Sequence, residues 1–582
     1  MDVDVDNILT TLGPWKRYQI LQLFYVGFIH MFGGAYTVLV YVFIGYQPPH
    51  HCSNFTQSIH TYGIPSYINE SQVIVHYSQC DITVYSNGTN MTSEKWTLPC
   101  VNGYTYENTA KTFVSEWNLV CTSAGLGELT QTFLAAGQCV GAMLFASMAD
   151  RFGRKPILMS SHLGLFTINT ASFFIPSYTI FAISRLLLGA LQQGVAIVLS
   201  TILLEMFPKQ SRGTIGALLS VFWTVSVMSI TAFGYGLRNY SWRYIQLAAG
   251  LISVHSLFGY WLIDESFRWL IANKKTDDAI KVAKKIARIN KVNVNQVLSI
   301  ISSQQPMREL AVPRSEPIDE FSDVPENEPS EEIESADLIE NTTDSTPSVV
   351  QQYTLLDILK SSILLRNSII LWFAWCVNSL TYYGLFLTSS SMAGSRYLNY
   401  FINATVELPS NIMFWLMVNR TSRKTLVVFF HALAGLSLII SVALLTIKDD
   451  GGKGAVVSTA FGFLGKLAIS SSFNSVWLYT PELYPTNLRS AGFGVASTMA
   501  RVGAMIAPFS SLLAARIIWG PGVVFGVCCF LVTILVTVLP ETGQRELPQT
   551  LEELVNWNKE QSGWKFGKLR KRKKIETAKT FY

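Results

Sequence analysis

The stretch DRFGRK, at Asp150–Lys155, decides the fold of this chain. Four of its six residues are charged, yet it lies between two long apolar runs, residues 134–148 and 156–175. Charge of this density has no place inside a soluble core. It is typical of a tight turn on the cytoplasmic side of a membrane, where Lys and Arg accumulate. The stretch therefore predicts that the chain crosses a membrane and that this turn lies on the cytoplasmic side.

The composition extends this prediction to the whole chain. Of the 582 residues, 49% are hydrophobic and 14% are charged, and the mean hydropathy is +0.30. An ordinary soluble protein is more polar. With about 20 apolar residues needed for each crossing, the sequence predicts an all-α membrane protein with twelve transmembrane helices, at residues 18–42, 128–149, 156–175, 181–204, 215–235, 244–263, 368–387, 398–418, 426–446, 456–478, 491–513 and 523–539.

The polar connections between these helices define the domain organisation. One of them is extracellular and long, and another is cytoplasmic and contains an amphipathic helix with Thr276 as its N-cap candidate. Part of the cytoplasmic connection, 306–347, is acidic and poor in large apolar residues, so it is expected to be disordered. The predicted order is a cytoplasmic N-terminus 1–17, a six-helix half 18–263 that includes extracellular loop 45–127, a cytoplasmic linker 264–367, a second six-helix half 368–539, and a basic cytoplasmic tail 540–582.

The distribution of basic residues sets the orientation. Lys and Arg are concentrated in turns that fall on the same side as DRFGRK and in the tail at 565–574. The formal net charge of +5 therefore reports membrane topology, and no nucleic-acid partner is expected. Both termini are predicted to be cytoplasmic, with no cleavable signal peptide, and the tail is expected to contact anionic membrane lipids.

The extracellular loop carries the marks of an oxidising compartment. It contains four cysteines, which allow two disulfides in three possible connectivities. It also contains four Asn-X-Ser/Thr acceptors for N-glycosylation. His50-His51-Cys52 is interpreted as a turn leading into a disulfide, and no metal site is expected there. The predicted disulfide residues are Cys52, Cys80, Cys100 and Cys121, and the predicted glycosylation sites are Asn54, Asn69, Asn87 and Asn90.

The two six-helix halves repeat each other. The stretch Glu205–Arg212 recurs with identical spacing as Glu482–Arg489, and the basic pattern of Asp150–Lys155 recurs more weakly at Arg420–Lys424. Because each half has an even number of spans, both enter the membrane from the same side. Such a parallel repeat predicts a cavity between the halves near the bilayer midplane.

These motifs resemble those of a known transporter family. DRFGRK and its copy are similar to the loop signature of the major facilitator superfamily. The segments EWNLVC at Glu116–Cys121, ESFRWL at Glu265–Leu270 and YTPELYPT at Tyr479–Thr486 resemble the organic cation, organic anion and carnitine transporters of solute carrier family 22. The resemblance implies the major facilitator fold and transport by alternating access in the plasma membrane, with the protein functional as a monomer.

Motifs for chemical catalysis are absent from the sequence. It contains no GxxxxGK[ST] phosphate loop, no HExxH zinc motif and no GxSxG nucleophile elbow. We therefore expect neither an enzyme nor an ATP-driven pump, and neither a resident cofactor nor a metal. A gradient remains as the source of energy, and sodium is the candidate coupling ion.

The resemblance also implies a cytoplasmic gate. In a transporter of this family, paired acidic and basic groups at the cytoplasmic ends of the helices would hold the outward-open state. The alternative is that these groups only cap helices and enforce topology. The gating residues expected from the duplicated motifs are Asp150, Arg151, Arg154, Glu205, Arg212, Arg420, Glu482 and Arg489.

Two charged residues near the bilayer midplane are the leading candidates for substrate contact. Glu407 and Arg501 lie near the centres of their predicted spans, where a charge costs about 2.5–3.5 kcal/mol and needs a reason. Pro409 is expected to kink the helix beside Glu407. In the resembled family, Arg at the position of Arg501 is typical of anion and carnitine carriers. The pair predicts a carnitine-like zwitterion, with its ammonium on Glu407 and its carboxylate on Arg501, unless the two residues simply pair with each other.

Aromatic residues are expected to line the same cavity, because ring faces attract organic ammonium groups. The candidates are Tyr36, Trp223, Tyr382, Tyr383, Phe473 and Trp477, with Gln246 as a neutral hydrogen-bonding member. Arg185 and Lys466 are also buried cations, for which structural pairing is the favoured interpretation. The competing functions are a broad carrier of organic cations, an organic anion exchanger, and a transport-inactive receptor or scaffold that uses the glycosylated loop.

Overall fold

The computed structural model describes residues 5–65, 73–86, 95–107, 111–295, 297, 355–392, 394–418, 420–446, 453–485, 488–543 and 553–554. The predicted disordered segment 306–347, most of the tail 540–582 and the acceptors Asn69, Asn87 and Asn90 lie outside the described residues.

The described chain is a helical membrane domain. Eleven of its helices are long and apolar enough to cross a bilayer, and they coincide with eleven of the twelve predicted spans. The helix of the remaining predicted span has 17 residues, or about 25 Å at ~1.5 Å per residue. In chain order, the twelve helices are α1 Arg17–Leu39, α2 Cys121–Phe152, α3 Arg154–Phe174, α4 Tyr178–Met206, α5 Lys209–Gly236, α6 Trp242–Leu262, α7 Ser362–Leu387, α8 Arg396–Val418, α9 Arg423–Thr446, α10 Gly454–Glu482, α11 Ala491–Arg516 and the short α12 Gly520–Val536.

Close helix packing within the first half depends on glycines that face each other. A Cβ on Gly137 of α2 would lie 1.9 Å from the Leu186 carbonyl oxygen of α4. A Cβ on Gly189 of α4 would lie 1.9 Å from the Leu134 carbonyl oxygen of α2. Both contacts are far inside van der Waals distance, so only glycine fits at either position. The two backbones therefore touch, as small residues allow in membrane helices.

Three apolar cores organise the domain. One lies inside the first half and includes Val26 and Leu158, and a second lies inside the second half and includes Leu371 and Phe525. The third joins both halves at the ends that are predicted to be extracellular. There Phe43 stacks on Tyr397 and makes a tilted contact with Tyr400, with ring centroids 5.5 and 5.0 Å apart.

Helices α1 and α8 are irregular near their centres. In α1 the π-helix Leu23–Ile29 separates two α-helical parts. Helix α8 is divided at Val406, between Arg396–Thr405 and Glu407–Val418. This break lies at the kink predicted from Pro409, which has no N–H to continue the helical ladder. It places Glu407 at the start of a new helical segment.

Short helices pack against the membrane domain on the side that the basic residues predict to be cytoplasmic. The predicted amphipathic helix runs over Thr276–Asn290, and its N-cap is Lys275, so the prediction that Thr276 is the cap is wrong by one residue. Its apolar face packs against the N-terminal helix Val5–Leu12. Arg268 bonds Asp6 of that helix and holds the pKa of the Asp6 carboxyl below its usual range. Further short helices are Phe267–Ala272 and Leu355–Lys360 in the linker 264–367, whereas Tyr41–Ile44 and Phe113–Glu116 lie at the opposite end of the domain.

The extracellular loop forms two small antiparallel sheets. In the first, His50 pairs with Tyr106, and in the second, the central strand pairs Val84 with Trp96. Asn54 is exposed in this loop, so its side chain is accessible, and its glycosylation stays a prediction. The strands are β1 His50–Cys52, β2 Val73–Tyr77, β3 Asp81–Ser86, β4 Lys95–Pro99 and β5 Tyr104–Tyr106, in the orders β1-β5 and β2-β3-β4.

Two disulfides hold the loop together. Cys52 is bonded to Cys100 and Cys80 to Cys121, with Cα–Cα distances of 5.0 and 5.5 Å. This is one of the three connectivities that the sequence leaves open. The second disulfide ties the sheets to the start of α2, so the loop is anchored to the membrane domain at both of its ends.

Candidate functional site

The buried carboxylate of α8 is paired with a lysine of α10. Glu407 Oε1 lies 3.1 Å from the Lys466 ammonium, and the two side chains are 6% and 1% exposed. The alternative that Glu407 pairs with Arg501 is therefore wrong. A buried pair of this kind persists because each charge compensates the other, and removal of either partner leaves an uncompensated charge.

The Lys466 ammonium is also surrounded by aromatic faces of α7. It lies 3.2 Å from the ring centroid of Tyr382 and 3.9 Å from that of Phe386. Ring faces attract cations electrostatically, more strongly when water is excluded. Lys466 thus has the surroundings that the sequence predicts for a substrate ammonium, with an anion on one side and aromatic faces on the other.

Helix α5 of the first half contributes to the same group. Trp223 Nε1 donates to the Tyr382 hydroxyl at 3.1 Å, and Thr224 Oγ1 donates to Glu407 at 3.3 Å. Helices from both halves therefore meet at the carboxylate, where a movement of one half against the other would alter its hydrogen bonds.

Arg501 of α11 is the remaining cation at this depth. Its Nε is buried and has no hydrogen-bond partner among the residues that the structure describes. The guanidinium lies close enough to Tyr383 to bond its hydroxyl, and Tyr383 contacts Tyr382 edge to face at 5.2 Å. A buried donor without a partner costs about 1–3 kcal/mol. Arg501 is therefore able to accept an anionic ligand beside the Glu407–Lys466 pair.

The other predicted cavity residues divide into two groups. Phe473 contacts Tyr382 at 6.2 Å and therefore lies at the site. Trp477 lies further toward the cytoplasmic end of α10, where it packs against Phe493 and is 53% exposed. Tyr36 bonds Ser229 of α5 at 2.9 Å. Gln246 is fully buried inside the first half, where it donates to Asn169 at 2.7 Å.

The placement of Gln246 differs from the prediction that it contacts substrate. Asn169 in turn donates to Thr37 Oγ1 at 3.2 Å, so Gln246, Asn169 and Thr37 form a chain that joins α6, α3 and α1. A side chain bonded in this way supports helix packing, and the structure does not bring it to the Glu407 group.

The predicted gating residues of the first half form ion pairs around Arg154. The Arg154 guanidinium bonds Glu205 at 3.1 Å and Asp150 at 3.0 Å, whereas Arg151 is exposed. Glu265 accepts the backbone N–H groups of Arg154 and Lys155 at the start of α3. A carboxylate there is favoured by the positive end of the helix dipole.

The second half repeats this arrangement with one correction to the prediction. Arg423, and not Arg420, pairs with Glu482, at 3.5 Å, and Glu541 accepts the N–H groups of Arg423 and Lys424. Arg420 is exposed, as Arg151 is. The arginine that begins the helix after each turn therefore carries the contact, because it lies beside the end of the next helix along the chain, where Glu205 or Glu482 stands.

The remaining gating residues make no ion pair across the halves in the described part of the chain. Arg489 Nε donates to the Pro481 carbonyl at 2.9 Å, and Arg212 Nε is buried without a hydrogen-bond partner there. The ion pairs of Arg154 and Arg423 each stay within one half. Their role in holding an outward-open state stays a prediction.

The extracellular ends of the halves are joined directly. Glu128 of α2 accepts from Tyr41 at 2.7 Å and from Ser511 of the second half at 2.8 Å. Thr132 donates to the Met505 carbonyl at 2.9 Å. Between these contacts and Tyr383 lies a cavity of about 10 Å³, room for roughly one water. The structure is therefore closed on the extracellular side of the site.

Three functional candidates were not predicted as site residues: Lys466, Thr224 and Glu128. Lys466 lies near the centre of its predicted span, so the depth criterion that selects Glu407 and Arg501 also selects it. Thr224 follows Trp223 directly and is uncharged, so a search for charged residues within the spans does not select it. Glu128 stands at the end of an apolar run, where its hydrogen bonds to a distant part of the chain have no local signal.

Comparison with known proteins agrees with this architecture. The family model described as Major Facilitator Superfamily matches residues 103–508. The chain is 29% identical to the organic cation transporter protein of Drosophila melanogaster, over 95% of both chains. It is 30% identical to solute carrier family 22 member 7 of Sus scrofa, over 81% of this chain and 78% of the relative. It is 28% identical to organic anion transporter 3 of Mus musculus, over 95% and 94%.

Solved structures support the fold alone. The inward-open conformation of the xylose transporter XylE from E. coli aligns with a TM-score of 0.55 at 15% identity, over 92% of this chain and 99% of that one. The family match and the relatives identify a multi-pass membrane transporter and not an enzyme. The chain belongs to the major facilitator superfamily and, within it, to solute carrier family 22.

Proposed function

We propose that the chain transports small organic anions across the plasma membrane by alternating access. The observation that carries this proposal is the Glu407–Lys466 ion pair, which neutralises the one acidic group of the site and leaves Arg501 uncompensated. In their usual charge states, these three residues sum to +1. An organic anion at Arg501 brings the group to neutrality inside a medium where net charge is costly.

An organic cation meets the opposite situation. To reach Glu407 it must displace Lys466 from the carboxylate and from the faces of Tyr382 and Phe386. The displaced ammonium then stays buried without its partner, which costs several kcal/mol. An anion is therefore the preferred substrate, in place of the cation or zwitterion predicted from Glu407 and Arg501.

The names of the relatives leave the charge of the substrate open. One is called an organic cation transporter and another an organic anion transporter, at nearly equal identity to this chain. Both names support an organic ion as the substrate. The charge balance of the site is therefore the feature that favours organic anions over organic cations.

The lining favours an anion with an aromatic body. The rings of Tyr383 and Phe473 both contact Tyr382, and Trp223 of the first half donates to the Tyr382 hydroxyl, so aromatic groups are clustered at the site. Offset and edge-to-face contacts with such rings stabilise planar apolar groups. A benzoate-like carboxylate, with its ring against these aromatic groups and its charge on Arg501, matches both features.

A carnitine-like zwitterion is the second candidate. The position of the Lys466 ammonium has the anionic and aromatic neighbours that a substrate ammonium needs, so a zwitterion fits if Lys466 moves aside. We further propose sodium as the candidate coupling ion and a monomer as the working unit. The distribution of basic residues supports cytoplasmic termini.

Uptake into proteoliposomes tests these candidates. The substrates are a labelled aromatic monocarboxylate, carnitine and a quaternary amine, each with and without a sodium gradient. We expect the carboxylate to be preferred, and Arg501→Ala to reduce its uptake about 10- to 100-fold, the equivalent of a charge-assisted hydrogen bond of ~1.5–3 kcal/mol.

Arg516→Ala is the control, because Arg516 is exposed at the extracellular end of the same helix α11. Preference for carnitine would favour the second candidate. Absence of uptake of all three substrates would remove the proposal and favour a receptor or scaffold.

A further inference from the structure

Three histidines meet inside the first half of the protein. His30 of α1, His162 of α3 and His255 of α6 each offer one ring nitrogen, and these nitrogens lie within 4.8 Å of one another. Their ring centroids are 4.6–4.8 Å apart. His30 and His162 are fully buried, and His255 is partly buried. None of the three contributes to the Glu407 group.

The hydrogen bonds of two of these rings fix their tautomers. Nδ1 of His30 lies 3.0 Å from the Tyr25 carbonyl oxygen, and Nδ1 of His255 lies 3.0 Å from the Ile252 carbonyl oxygen. A carbonyl only accepts, so Nδ1 carries the hydrogen and Nε2 carries the lone pair. Both Nε2 atoms are buried and unpaired within the described residues. Metal-binding histidines typically have this arrangement, with the other ring nitrogen donating to a carbonyl.

The ring of His162 cannot donate a hydrogen bond to the Nε2 atoms of both His30 and His255. Both nitrogens of His162 are buried without a hydrogen-bond partner in the part of the chain described. A neutral imidazole has a single N–H, so His162 can donate to only one of the two neighbouring Nε2 atoms. At least one basic nitrogen then stays unsatisfied, at a cost of about 1–3 kcal/mol. A cation among the three rings would be ligated by one nitrogen of each ring, including both Nε2 lone pairs.

The local backbone brings the rings together. The π-helix Leu23–Ile29 directly precedes His30, and π-helical segments are frequent at functional sites. Gly33 lies one turn further along, where a Cβ would come within 2.8 Å of the His162 ring and 2.6 Å of the Ser253 hydroxyl. The absent side chain at Gly33 therefore leaves the space that His162 occupies. The Ser253 hydroxyl beside it is also buried and unpaired among the described residues.

We propose that His30, His162 and His255 bind a transition-metal ion, with Zn²⁺ as the natural occupant. Neutral imidazoles suit Zn²⁺ and its neighbours, whereas Na⁺, Mg²⁺ and Ca²⁺ prefer oxygen ligands, so the ion is distinct from a coupling sodium. Water or the Ser253 hydroxyl supplies the fourth ligand. Zn–N bonds of ~2.0–2.1 Å place the nitrogens about 3.3 Å apart, so the rings close inward by roughly 1 Å. The ion would clamp α1, α3 and α6 together.

Metal titration of the purified full-length protein tests this site. After treatment with a chelator, the protein is titrated with Zn²⁺, and bound zinc is counted by mass spectrometry. We expect one zinc for each chain. His162→Gln and His255→Gln should each weaken binding at least about 100-fold, because loss of a ligand exceeds the ~10–100-fold effect of a lost outer-shell partner.

His431→Gln is the matched control. His431 is equally buried but lies in the second half, where its ring nitrogens face the Val427 carbonyl and the Ser472 hydroxyl. This variant should bind zinc as the wild type does. Equal zinc binding by the wild type and both cluster variants would overturn the proposal, because the metal would then be held elsewhere.

Cobalt supplies a readout that does not depend on the variants folding. Co²⁺ bound by three imidazoles in tetrahedral geometry gives visible d–d absorption, and we expect this absorption from the wild type. Zinc should also raise the thermal unfolding temperature of the wild type. Absence of the cobalt absorption in the wild type would overturn the site whatever the behaviour of the variants.

Discussion

The ammonium of Lys466 lies 3.1 Å from the carboxylate of Glu407, and both side chains are buried near the middle of their helices. The protein therefore carries an internal cation beside Glu407, the residue that the sequence predicts to bind a substrate ammonium. Because Lys466 neutralises Glu407, Arg501 is the charged residue of the site that has no partner for its Nε among the described residues.

Removal of one member of the ion pair should destabilise the protein more than removal of both. Glu407→Gln leaves the Lys466 ammonium buried and unpaired, at an expected cost of about 3–5 kcal/mol. The double variant Glu407→Gln/Lys466→Met should recover most of this loss. Thermal unfolding in detergent of the wild type, both single variants and the double variant measures the coupling. Additive effects would contradict a direct pair.

The duplicated turns should depend on one arginine of each pair. Arg154→Ala breaks the contacts with Glu205 and Asp150, and we expect uptake to fall at least about 10-fold, the equivalent of ~1.4 kcal/mol. Arg151→Ala, at an exposed position, should have little effect. In the second half, Arg423→Ala should likewise reduce uptake, and Arg420→Ala should have little effect. Equal losses within either pair, at matched surface expression, would contradict the assignment.

Glu128 should stabilise the extracellular closure. Glu128→Ala removes the acceptor of Tyr41 and Ser511, so the outward-open state should become more populated. A cysteine introduced at Gln131, which lines the small cavity, reports this opening through its reaction with a membrane-impermeant thiol reagent. We expect faster labelling with Glu128→Ala than without it. Glu107→Ala, at an exposed loop position, is the control. An unchanged labelling rate would show that other contacts hold the closure.

The sequence predicts the fold well because the signals are local. DRFGRK and its copy each lie within one turn, and long apolar runs give the helices without reference to any other part of the chain. The break in α8 is likewise a local effect of Pro409. The pairing of the four loop cysteines depends on how distant strands fold together, and the sequence leaves it open.

The site is less predictable because it consists of contacts between helices. Depth in the membrane identifies Glu407 and Arg501, but it cannot say that Lys466 and not Arg501 reaches Glu407. Gln246 has a polar side chain in an apolar span, and only the structure shows that Asn169 satisfies it. The three clustered histidines come from three different helices, so no spacing rule brings them together.

The selectivity of Lys466→Gln tests the central claim most directly. Uptake of a quaternary amine and of an aromatic monocarboxylate is measured side by side for the wild type and the variant, at equal protein content. Loss of the internal cation frees Glu407, so the ratio of amine to carboxylate uptake should be below one in the wild type and rise at least about 10-fold in the variant, as expected for ~1.4 kcal/mol. A wild-type ratio above one, or a ratio that the variant leaves unchanged, would contradict the claim that Lys466 makes this an anion site.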